Sequence, residues 1–566
     1  MLKKSKGKIF LFAFFVILFL PRFVLAFSEG EIKKFFVDSS YDSKGREELS
    51  AILEKVSQKG YFFLEKEWSE NLTQEEKKEI LQSLNDLAQE FDNNIYPNLT
   101  SIYGSEWKPG IDFDYRITIL FHQMKEGVGG YFRSEDEYPR VQSPNSNERE
   151  MVYLNIDYLK TPAIKGYLAH EFTHLITFNQ KDRKRGVSEE IWLNEGRAEL
   201  AITLLGYDKE YQGSNLQRRV AEFLSHPSDS LTEWQGQKED YGVLNVFFQY
   251  LLDHYGSEIL RDSLQSSKVG IPSINEALRK NGYLEDFSQI FTDWLLAIYL
   301  NDCRFGERYC YKNENLRNLK ITPSLIFLPP TQKTEFSLDY SILQWSGNWY
   351  RVLGGEGDLR IKFEGDPKVK FTIPYVLCKN TKLCSIDFLQ LDKSQKGEIS
   401  FQNFGREWTS ITLIPTIQSK TLGFNGKEPS FDFSLSAEIK IRSEKEELIA
   451  ELKAKIAKLK AQIAKLQAKI AQILREKISC KELSKNLYFG MRNSQEVRCL
   501  QEFLKAQGPE IYPQGLVTGN FLNLTKAAVI RFQEKYAEDI LAPWGLTKGT
   551  GYVGETTRAK INELLK

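Results

Sequence analysis

HEFTH (residues 170–174) and WLNEGRAEL (residues 192–200) are the two stretches around which the first part of this chain is organised. Apolar residues recur at helical spacing around both stretches, and this pattern predicts helices over residues 163–180 and 191–205. The first helix is predicted to be buried, because its apolar residues form one broad face. Two such helices, packed together, would bring two imidazoles and a carboxylate to one place.

His170 and His174 are four residues apart, so on a helix their side chains share one face. Two neutral imidazoles at this spacing can bind one Zn²⁺, while Glu171 reaches the water that the metal activates. Glu171 would take a proton from that water and later pass it to the leaving amine. Catalytic zinc needs a third protein ligand, and Glu195 in the second helix is the candidate. The alternative is a helix with two packed or solvated histidines, and a chance HExxH is expected on the order of a few times per thousand sequences of this composition.

HEFTH followed by WLNEGRAE resembles the zinc-binding helices of the gluzincin metallopeptidases, and WLNEG is especially similar to the third-ligand helix of their aminopeptidase branch. The resemblance implies that His170, His174 and Glu195 bind zinc and that Glu171 is the general base. It covers the two motif helices closely and residues 27–300 loosely. The G-x-M-E-N loop, with which the aminopeptidase branch grips a free substrate N-terminus, does not precede HEFTH. We therefore expect an endopeptidase.

Two supporting roles near the metal also have candidates. Glu199 falls on the same helical face as Glu195 and could accept the free N–H of a ligand imidazole, with a solvent-exposed side chain as the alternative. Gluzincins commonly use a Tyr or a His to stabilise the oxyanion. We choose Tyr241, which opens a third predicted helix, ahead of His226 and His254. Each of these three side chains is more often structural than catalytic.

The region around the motifs predicts a mixed α+β structure. Strand-like runs alternate with residues 44–58 and 73–93, where apolar residues at helical spacing predict two helices. GVGGYF (residues 127–132) is either an edge strand, to which an extended substrate could add, or the loop beside it, with an ordinary hairpin as the alternative. Residues 27–320 are therefore predicted to form a gluzincin-like α+β domain.

Two further regions follow in the chain. Residues 321–442 contain short alternating runs separated by Gly, Asn, Asp and Lys, which is typical of an all-β sandwich-like domain. Residues 443–479 place Ile and Leu at the a and d positions of a heptad repeat, which predicts a coiled coil. Lysines at the e and g positions would repel each other in a parallel homodimer, but burial of the apolar seam contributes more. Self-association is therefore favoured over a monomeric spacer helix.

Residues 480–566 repeat a Gly-marked turn followed by a short amphipathic helix. This plan resembles the bacterial peptidoglycan-binding domain, a small all-α module of three helices. The matching residues are Val497, Leu500, Gln501, Leu504, Gly519, Thr525, Ala528, Val529, Phe532, Gln533, Gly554 and Thr557. Most of them are core positions, so the match is specific for the fold. Glycan binding follows only by analogy, and a purely structural role is the alternative.

The N-terminus predicts export. It has a basic start, an apolar run and the sequence VLA (residues 24–26), which together predict a signal peptide, residues 1–26, cleaved after Ala26. A retained anchor is the alternative, although the apolar run is shorter than the ~20 residues that a membrane span needs. In an exported chain, close pairs of cysteines predict disulfides. The pairs are Cys303 with Cys310, Cys378 with Cys384, and Cys480 with Cys499.

The charge balance excludes one class of function. Lys and Arg number 76, as do Asp and Glu, so no net positive charge favours nucleic-acid binding. The sequence predicts a secreted or cell-envelope zinc metalloendopeptidase that acts on proteins or peptides and binds peptidoglycan through residues 480–566. Two alternatives stay open. One is an endopeptidase of peptidoglycan cross-bridges, and the other is a wall-anchored adhesive or scaffold protein with an incidental metal site.

Overall fold

The chain combines many helices with several sheets, as the sequence predicts. It divides into two compact units, one that ends at Ile441 and one that begins at Arg442. The predicted signal peptide lies outside the described residues. The structure, a computed structural model, describes residues 27–329, 334–380, 383–419, 427–440, 444–476 and 480–566.

The first unit begins with a six-stranded sheet in the order β1-β2-β3-β4-β6-β5. Its strands are β1 (Ile32–Phe36), β2 (Glu48–Val56), β3 (Gly60–Glu65), β4 (Ile117–His122), β5 (Gly130–Tyr131) and β6 (Met151–Asn155). The neighbours β3, β4 and β6 run parallel and are buried along their whole length, whereas β5 runs antiparallel to β6. Continuous apolar sequence is expected of central strands that are covered on both faces.

β2 corrects one prediction, because residues 44–58 do not form a helix. Leu49, Ala51 and Leu53 are buried while their neighbours along β2 are not, which is the two-residue period of a strand. A spacing of four residues, as between Leu49 and Leu53, satisfies both a helix and a strand. The two periods therefore could not be told apart from these apolar positions alone.

Ten α-helices complete the part of the first unit that surrounds the HEFTH motif. They are α1 (Lys66–Glu70), α2 (Gln74–Glu90), α3 (Tyr96–Tyr103), α4 (Ala163–Phe178), α5 (Ile191–Leu204), α6 (Asn215–Ser225), α7 (Lys238–Tyr255), α8 (Ser257–Leu264), α9 (Gly270–Lys280) and α10 (Phe287–Leu300). The two predicted motif helices are confirmed as α4 and α5. α4 packs against β6 and α5, and α5 also packs against α7. Leu168, Phe172 and Ile176 of α4 are fully buried, and each contributes about 1.5–3 kcal/mol by its burial.

The rest of the first unit is built of strands. They are β7 (Ser324–Leu328), β8 (Thr334–Leu343), β9 (Tyr350–Gly354), β10 (Gly357–Gly365), β11 (Phe371–Thr372), β12 (Pro374–Asn380), β13 (Leu383–Phe388), β14 (Lys396–Phe404), β15 (Ser410–Leu413), β16 (Thr416–Ile417) and β17 (Ser430–Lys440). One sheet has the order β14-β10-β17-β8 and another the order β13-β12-β15-β9-β7, with β11 and β16 as a separate pair. Val352 of the second sheet and Leu359 and Leu435 of the first share one hydrophobic core. Two sheets with a common core are the arrangement of a sandwich.

The second unit is helical. It contains α11 (Glu444–Glu476), α12 (Gln495–Ala506), α13 (Asn523–Lys535), α14 (Ala537–Ile540) and α15 (Glu555–Leu565). Two glutamines, Gln501 and Gln533, form hydrogen bonds with the turns that precede α13 and α15. The side-chain oxygen of Gln501 accepts the N–H of Gly519 at 2.8 Å, and its amide donates to Thr525 Oγ1 at 2.9 Å. Gln533 makes the same pair of contacts one repeat later, to Gly551 at 2.9 Å and Thr557 at 3.1 Å.

The three predicted disulfides are confirmed, since Cys303–Cys310, Cys378–Cys384 and Cys480–Cys499 are each bonded. Disulfides of this kind form and persist in oxidising compartments outside the cytosol, so they are compatible with an extracellular protein. Of the helices that the structure describes from residue 27 onward, none is long and apolar enough to cross a membrane.

Candidate metal centre

α4 and α5 bring His170, His174 and Glu195 together at the floor of a cleft. The Nε2 of His170 is 3.2 Å from Oε2 of Glu195, and the Nε2 of His174 is 3.6 Å from Oε1 of the same carboxylate. One potential ligand atom from each residue lies within 4.8 Å of the other two. The structure thus places the three residues that the sequence predicts as zinc ligands around one point.

The donor set suits zinc. Two imidazole nitrogens and one carboxylate oxygen are the three protein ligands of a common class of catalytic zinc site, which leaves a fourth position for water or substrate. Three carboxylates, those of Glu171, Glu195 and Glu199, converge on the two imidazoles. A divalent cation at this place would favour the ionised form of each of these buried carboxylates, that of Glu171 included.

The pKa values show how the buried charges act on one another. Burial raises the pKa of Glu171 to about 8, against the opposing effect of His170. Burial by itself would lower the pKa of His170, but the adjacent Glu195 and Glu171 raise it to about 9. For His174 burial prevails, and its pKa is lowered. When no metal is bound, the His170 imidazole is thus favoured in its protonated form. A metal ion would replace that positive charge.

Glu199 lies on the far side of His170, with its Oε1 3.5 Å from Nδ1 of that imidazole. Arg219 donates two hydrogen bonds to Glu199, at 2.8 and 2.7 Å, and the amides of Asn215 and Asn245 donate two more. Although burial raises the pKa of Glu199, Arg219 lowers it to about 2, so this carboxylate stays ionised. Glu199 is 2% exposed, which excludes the alternative of a solvated side chain.

Arg219 is absent from the residues that the sequence predicts for the site, although its position in α6 carried a signal. Leu216, Val220 and Phe223 are buried on one face of α6, and Arg219 falls on that face beside them. A cation on an apolar helix face has to meet a buried anion. Spacing alone could therefore have predicted that Arg219 is paired, but not that its partner is Glu199.

The cleft above the imidazoles has a volume of about 570 Å³. Tyr241 lines it, and the guanidinium of Arg219 lies 4.3 Å from the centre of the Tyr241 ring. Burial raises the pKa of Tyr241, which keeps its phenol protonated. His226 and His254 do not line this cleft. His226 is exposed, and Nε2 of His254 lies 2.9 Å from the carbonyl oxygen of Cys310.

Tyr41 is a second tyrosine in the cleft that the sequence did not single out. It belongs to the loop between β1 and β2, and its ring stacks on Tyr131 of β5 at 4.8 Å. Burial has the largest effect on the pKa of Tyr41 and raises it, and the charges of Asp38, Glu171 and Glu195 raise it further. Tyr41 is far from both motifs in the sequence and carries no local pattern, so only the fold could reveal it.

Two glycines allow the sheet edge to approach α4 closely. A Cβ at Gly130 would lie 2.7 Å from the carbonyl oxygen of Tyr153 and 2.9 Å from Cγ of Glu171, and a Cβ at Gly129 would lie 2.4 Å from the Tyr167 ring. Gly130 belongs to β5, which is the last strand of its sheet and pairs with β6 on one side. Of the two interpretations of GVGGYF, the edge strand is therefore the one that the fold favours.

Arg197, the arginine of WLNEGRAEL, has a structural role in α5, the helix that carries Glu195. It is fully buried and donates to Glu189 at 2.8 Å and to the hydroxyl of Ser263 at 2.8 Å. Lys181, also fully buried, lies 3.4 Å from the same Glu189 carboxylate. Buried charges persist when they are paired in this way, so the network fixes the orientation of α5 and, with it, of Glu195.

No family model and no curated protein matches the chain. Solved structures with some likeness include the pre-peptidase C-terminal domain of a collagenase from Bacillus anthracis, with 10% identity over 20% of this chain and 96% of that one and a TM-score of 0.15. PliG, a periplasmic inhibitor of g-type lysozyme from Aeromonas hydrophila, shows 9% identity over 21% and 100%, with a TM-score of 0.15. A family GH115 4-O-methyl-α-glucuronidase shows 8% identity over 57% and 51%, with a TM-score of 0.12. Likenesses this weak carry no argument about function.

Proposed function

We propose that this chain is a secreted zinc metalloendopeptidase of the gluzincin type. The observation that carries the proposal is the convergence of two imidazoles and a carboxylate at the floor of a cleft, with Glu171 beside them. His170, His174 and Glu195 would hold the metal. A Zn²⁺ ion bound there would polarise the scissile carbonyl and make a water molecule nucleophilic at neutral pH.

The surrounding side chains have separate tasks in this proposal. Glu171, on the turn of α4 between the two imidazoles, would accept the proton of the attacking water and deliver it to the leaving amine. Glu199, held ionised by Arg219, would orient the His170 imidazole through its Nδ1–H. The protonated phenol of Tyr241 would donate a hydrogen bond to the carbonyl oxygen as negative charge develops on it.

The substrate would bind as an added strand. The free side of β5 offers backbone groups beside Glu171, and an extended peptide can pair with such an edge through main-chain hydrogen bonds. Any extended peptide can make such main-chain hydrogen bonds, so recognition by the backbone suits a protein or peptide substrate. Peptidoglycan cross-bridges are the second candidate substrate, which the resemblance of residues 480–566 favours.

Metal analysis is the experiment that tests the proposal. Purified wild type is expected to contain one zinc per chain and to digest casein, with activity lost on chelation. Glu195→Ala should hold less than one zinc per chain, because two imidazoles remain where catalytic zinc needs three protein ligands. Glu210→Gln, which removes an exposed carboxylate outside the cleft, is the control. A wild type without zinc, whose activity and stability do not respond to chelators, would contradict the enzyme proposal and favour the adhesive or scaffold interpretation. Digestion of sacculi but not of casein would favour the cross-bridge substrate.

The remaining regions support a tethered enzyme. Residues 27–320 would form the catalytic α+β domain, and the two sheets of residues 321–442 an all-β sandwich-like domain with an accessory role. Residues 443–479 would form a coiled coil, and the helices of residues 480–566 a peptidoglycan-binding module. With export ahead of these parts, the enzyme would act in the bacterial cell envelope, attached to the wall.

α11 presents an uncovered apolar stripe. At 1.5 Å per residue its 33 residues extend about 50 Å. The a and d side chains from Ile449 to Ile470 are 43–59% exposed, although they are all Ile or Leu. A stripe of this length and composition matches the seam of a coiled coil, so we propose a second copy of this chain as its partner. Repulsion between lysines such as Lys455 and Lys460 opposes pairing by only tenths of a kcal/mol for each pair.

Light scattering on the purified chain is expected to give twice the mass of one chain. Ile456→Ser combined with Ile463→Ser should give a monomer, because each serine removes about 1.5–3 kcal/mol of burial in both copies. Lys458→Gln changes a c position outside the seam, so this variant should stay a dimer. A wild type that is monomeric at micromolar concentration would contradict the proposal.

A further inference from the structure

In the second unit, the glutamines and threonines that carry the resemblance to the peptidoglycan-binding domain are buried rather than exposed. Gln501 and Gln533 form hydrogen bonds with the turns before α13 and α15, and their partners Thr525 and Thr557 are also buried. Side chains used in this way hold the fold together and cannot reach a large ligand. A polymer of the cell wall would therefore have to be recognised by exposed residues outside the shared motif.

Three aromatic side chains meet this condition on one surface. Tyr488, Phe489 and Tyr552 are 44–54% exposed. Exposed apolar side chains that are grouped in this way, rather than scattered singly, mark interaction sites. The rings of Tyr488 and Tyr552 are nearly parallel, with an angle of 23° between them and 6.5 Å between their centres. Two hydrogen bonds between the backbones of Leu487 and Val553, at 3.1 and 2.8 Å, fix the segments that carry them. The aromatic pair is thus held in place before any ligand binds.

A cation borders the aromatic pair. The Nζ of Lys526 lies 5.8 Å from the centre of the Phe489 ring. The aliphatic stem of Lys526 passes over Gly551, where an added Cβ would lie 2.6 Å from Cγ of the lysine. Gly551 therefore lets the lysine stem lie flat against the turn that carries Tyr552. The result is an aromatic surface with one positive charge at its side.

We propose that Tyr488, Tyr552, Phe489 and Lys526 form the surface with which the second unit binds a glycan strand of peptidoglycan. A pyranose ring presents a face of C–H groups that packs on the electron-rich face of an aromatic ring. Peptidoglycan also carries carboxylates beside its sugars, and Lys526 supplies the opposite charge. This inference rests on the proposed attachment to the wall and adds the residues that would bring it about.

Sedimentation of the full chain with purified sacculi tests the inference. Tyr488→Ala combined with Tyr552→Ala should weaken binding at least about tenfold, because two stacking contacts are lost. Tyr488→Phe combined with Tyr552→Phe keeps the rings and should restore most of the binding. Lys526→Gln should weaken binding and reduce its dependence on salt.

Trp544→Ala is the matched control, since Trp544 is an exposed aromatic residue of the same unit outside this surface. Thermal unfolding of each variant checks that the unit stays folded. If the wild type does not bind sacculi, the proposed attachment fails, and the inference fails with it. If the wild type and the double alanine variant bind equally, or if Trp544→Ala loses as much binding, the attachment stands but this surface is not its site. Casein digestion should be unchanged in all of these variants, which separates either result from a failure of the zinc site.

Discussion

Replacing Glu171 with Gln is expected to lower kcat/KM for a protein substrate by about 10²- to 10⁴-fold. The carboxylate would act twice, first as a base towards water and then as an acid towards the leaving amine, and an amide can do neither. Glu171 is not one of the three residues proposed as zinc ligands, so the variant should bind as much zinc as the wild type. Side-chain size is nearly unchanged in this substitution, so folding should not be affected. Steady-state kinetics with metal analysis of the same samples measures both expectations.

Glu210→Gln serves here as well, since it makes the same chemical change at an exposed position outside the cleft. Its activity should match that of the wild type within the error of the assay. Two outcomes would count against the assigned role of Glu171. A variant that retains more than a tenth of wild-type kcat/KM would show that another group moves the proton. A variant that loses zinc would show that Glu171 supports the metal rather than the reaction.

Gly130→Ala is expected to lower kcat/KM at least about 10²-fold without loss of zinc, because displacement of a reacting group by ~1 Å has effects of this size. The new methyl group would lie 2.9 Å from Cγ of Glu171 and 2.7 Å from the carbonyl oxygen of Tyr153. Neither contact can be kept, so either β5 moves away from α4 or Glu171 turns aside. The first movement disturbs the edge on which the substrate would lie, and the second displaces the proposed base. Crowding of this kind should also lower the free energy of unfolding by about 1–3 kcal/mol.

A second glycine supplies the comparison. Gly166 is on α4, one turn before His170, and an added Cβ there would make ordinary contacts of 3.6–3.8 Å with Ile202. Gly166→Ala should leave activity unchanged and should raise stability by about 0.5–1 kcal/mol, because alanine is the better helix former. If Gly130→Ala keeps full activity, the close approach of β5 to Glu171 has no functional role. Comparison of the two variants by kinetics and by thermal unfolding decides this.

The site could be predicted to the extent that its residues are close in the sequence. His170 and His174 share a helix face by their spacing, and the apolar sequence around them predicts burial. Glu195 could be proposed because a zinc ion needs one more ligand. The same four-residue spacing, applied to α5, predicted that Glu199 could lie beside a ligand imidazole, but only the structure identifies that imidazole as His170. Close spacing also identified the partner of each cysteine.

Apart from Tyr241, the residues that reach the site from elsewhere in the chain were not predicted. Tyr41, Asn215 and Asn245 come from a loop and two further helices, and no sequence period links them to the motifs. The error at β2 has a different origin, because its apolar positions are compatible with two periods. Strand or helix was decided there by pairing with β1 and β3, which only the folded chain supplies.

The equivalent hydrogen bonds of Gln501 and Gln533 show that the second unit repeats one structural frame. Gln501 donates to the carbonyl oxygen of Asn520, and Gln533 donates to the carbonyl oxygen of Tyr552, so Asn520 and Tyr552 occupy equivalent places in two copies of one frame. The side chains at the two places are used differently. Oδ1 of Asn520 accepts the N–H of Asn493 at 3.0 Å, whereas the Tyr552 ring lies 6.5 Å from the ring of Tyr488. One copy displays an amide and the other an aromatic ring, so the same frame can acquire different surface chemistry without a change in its core.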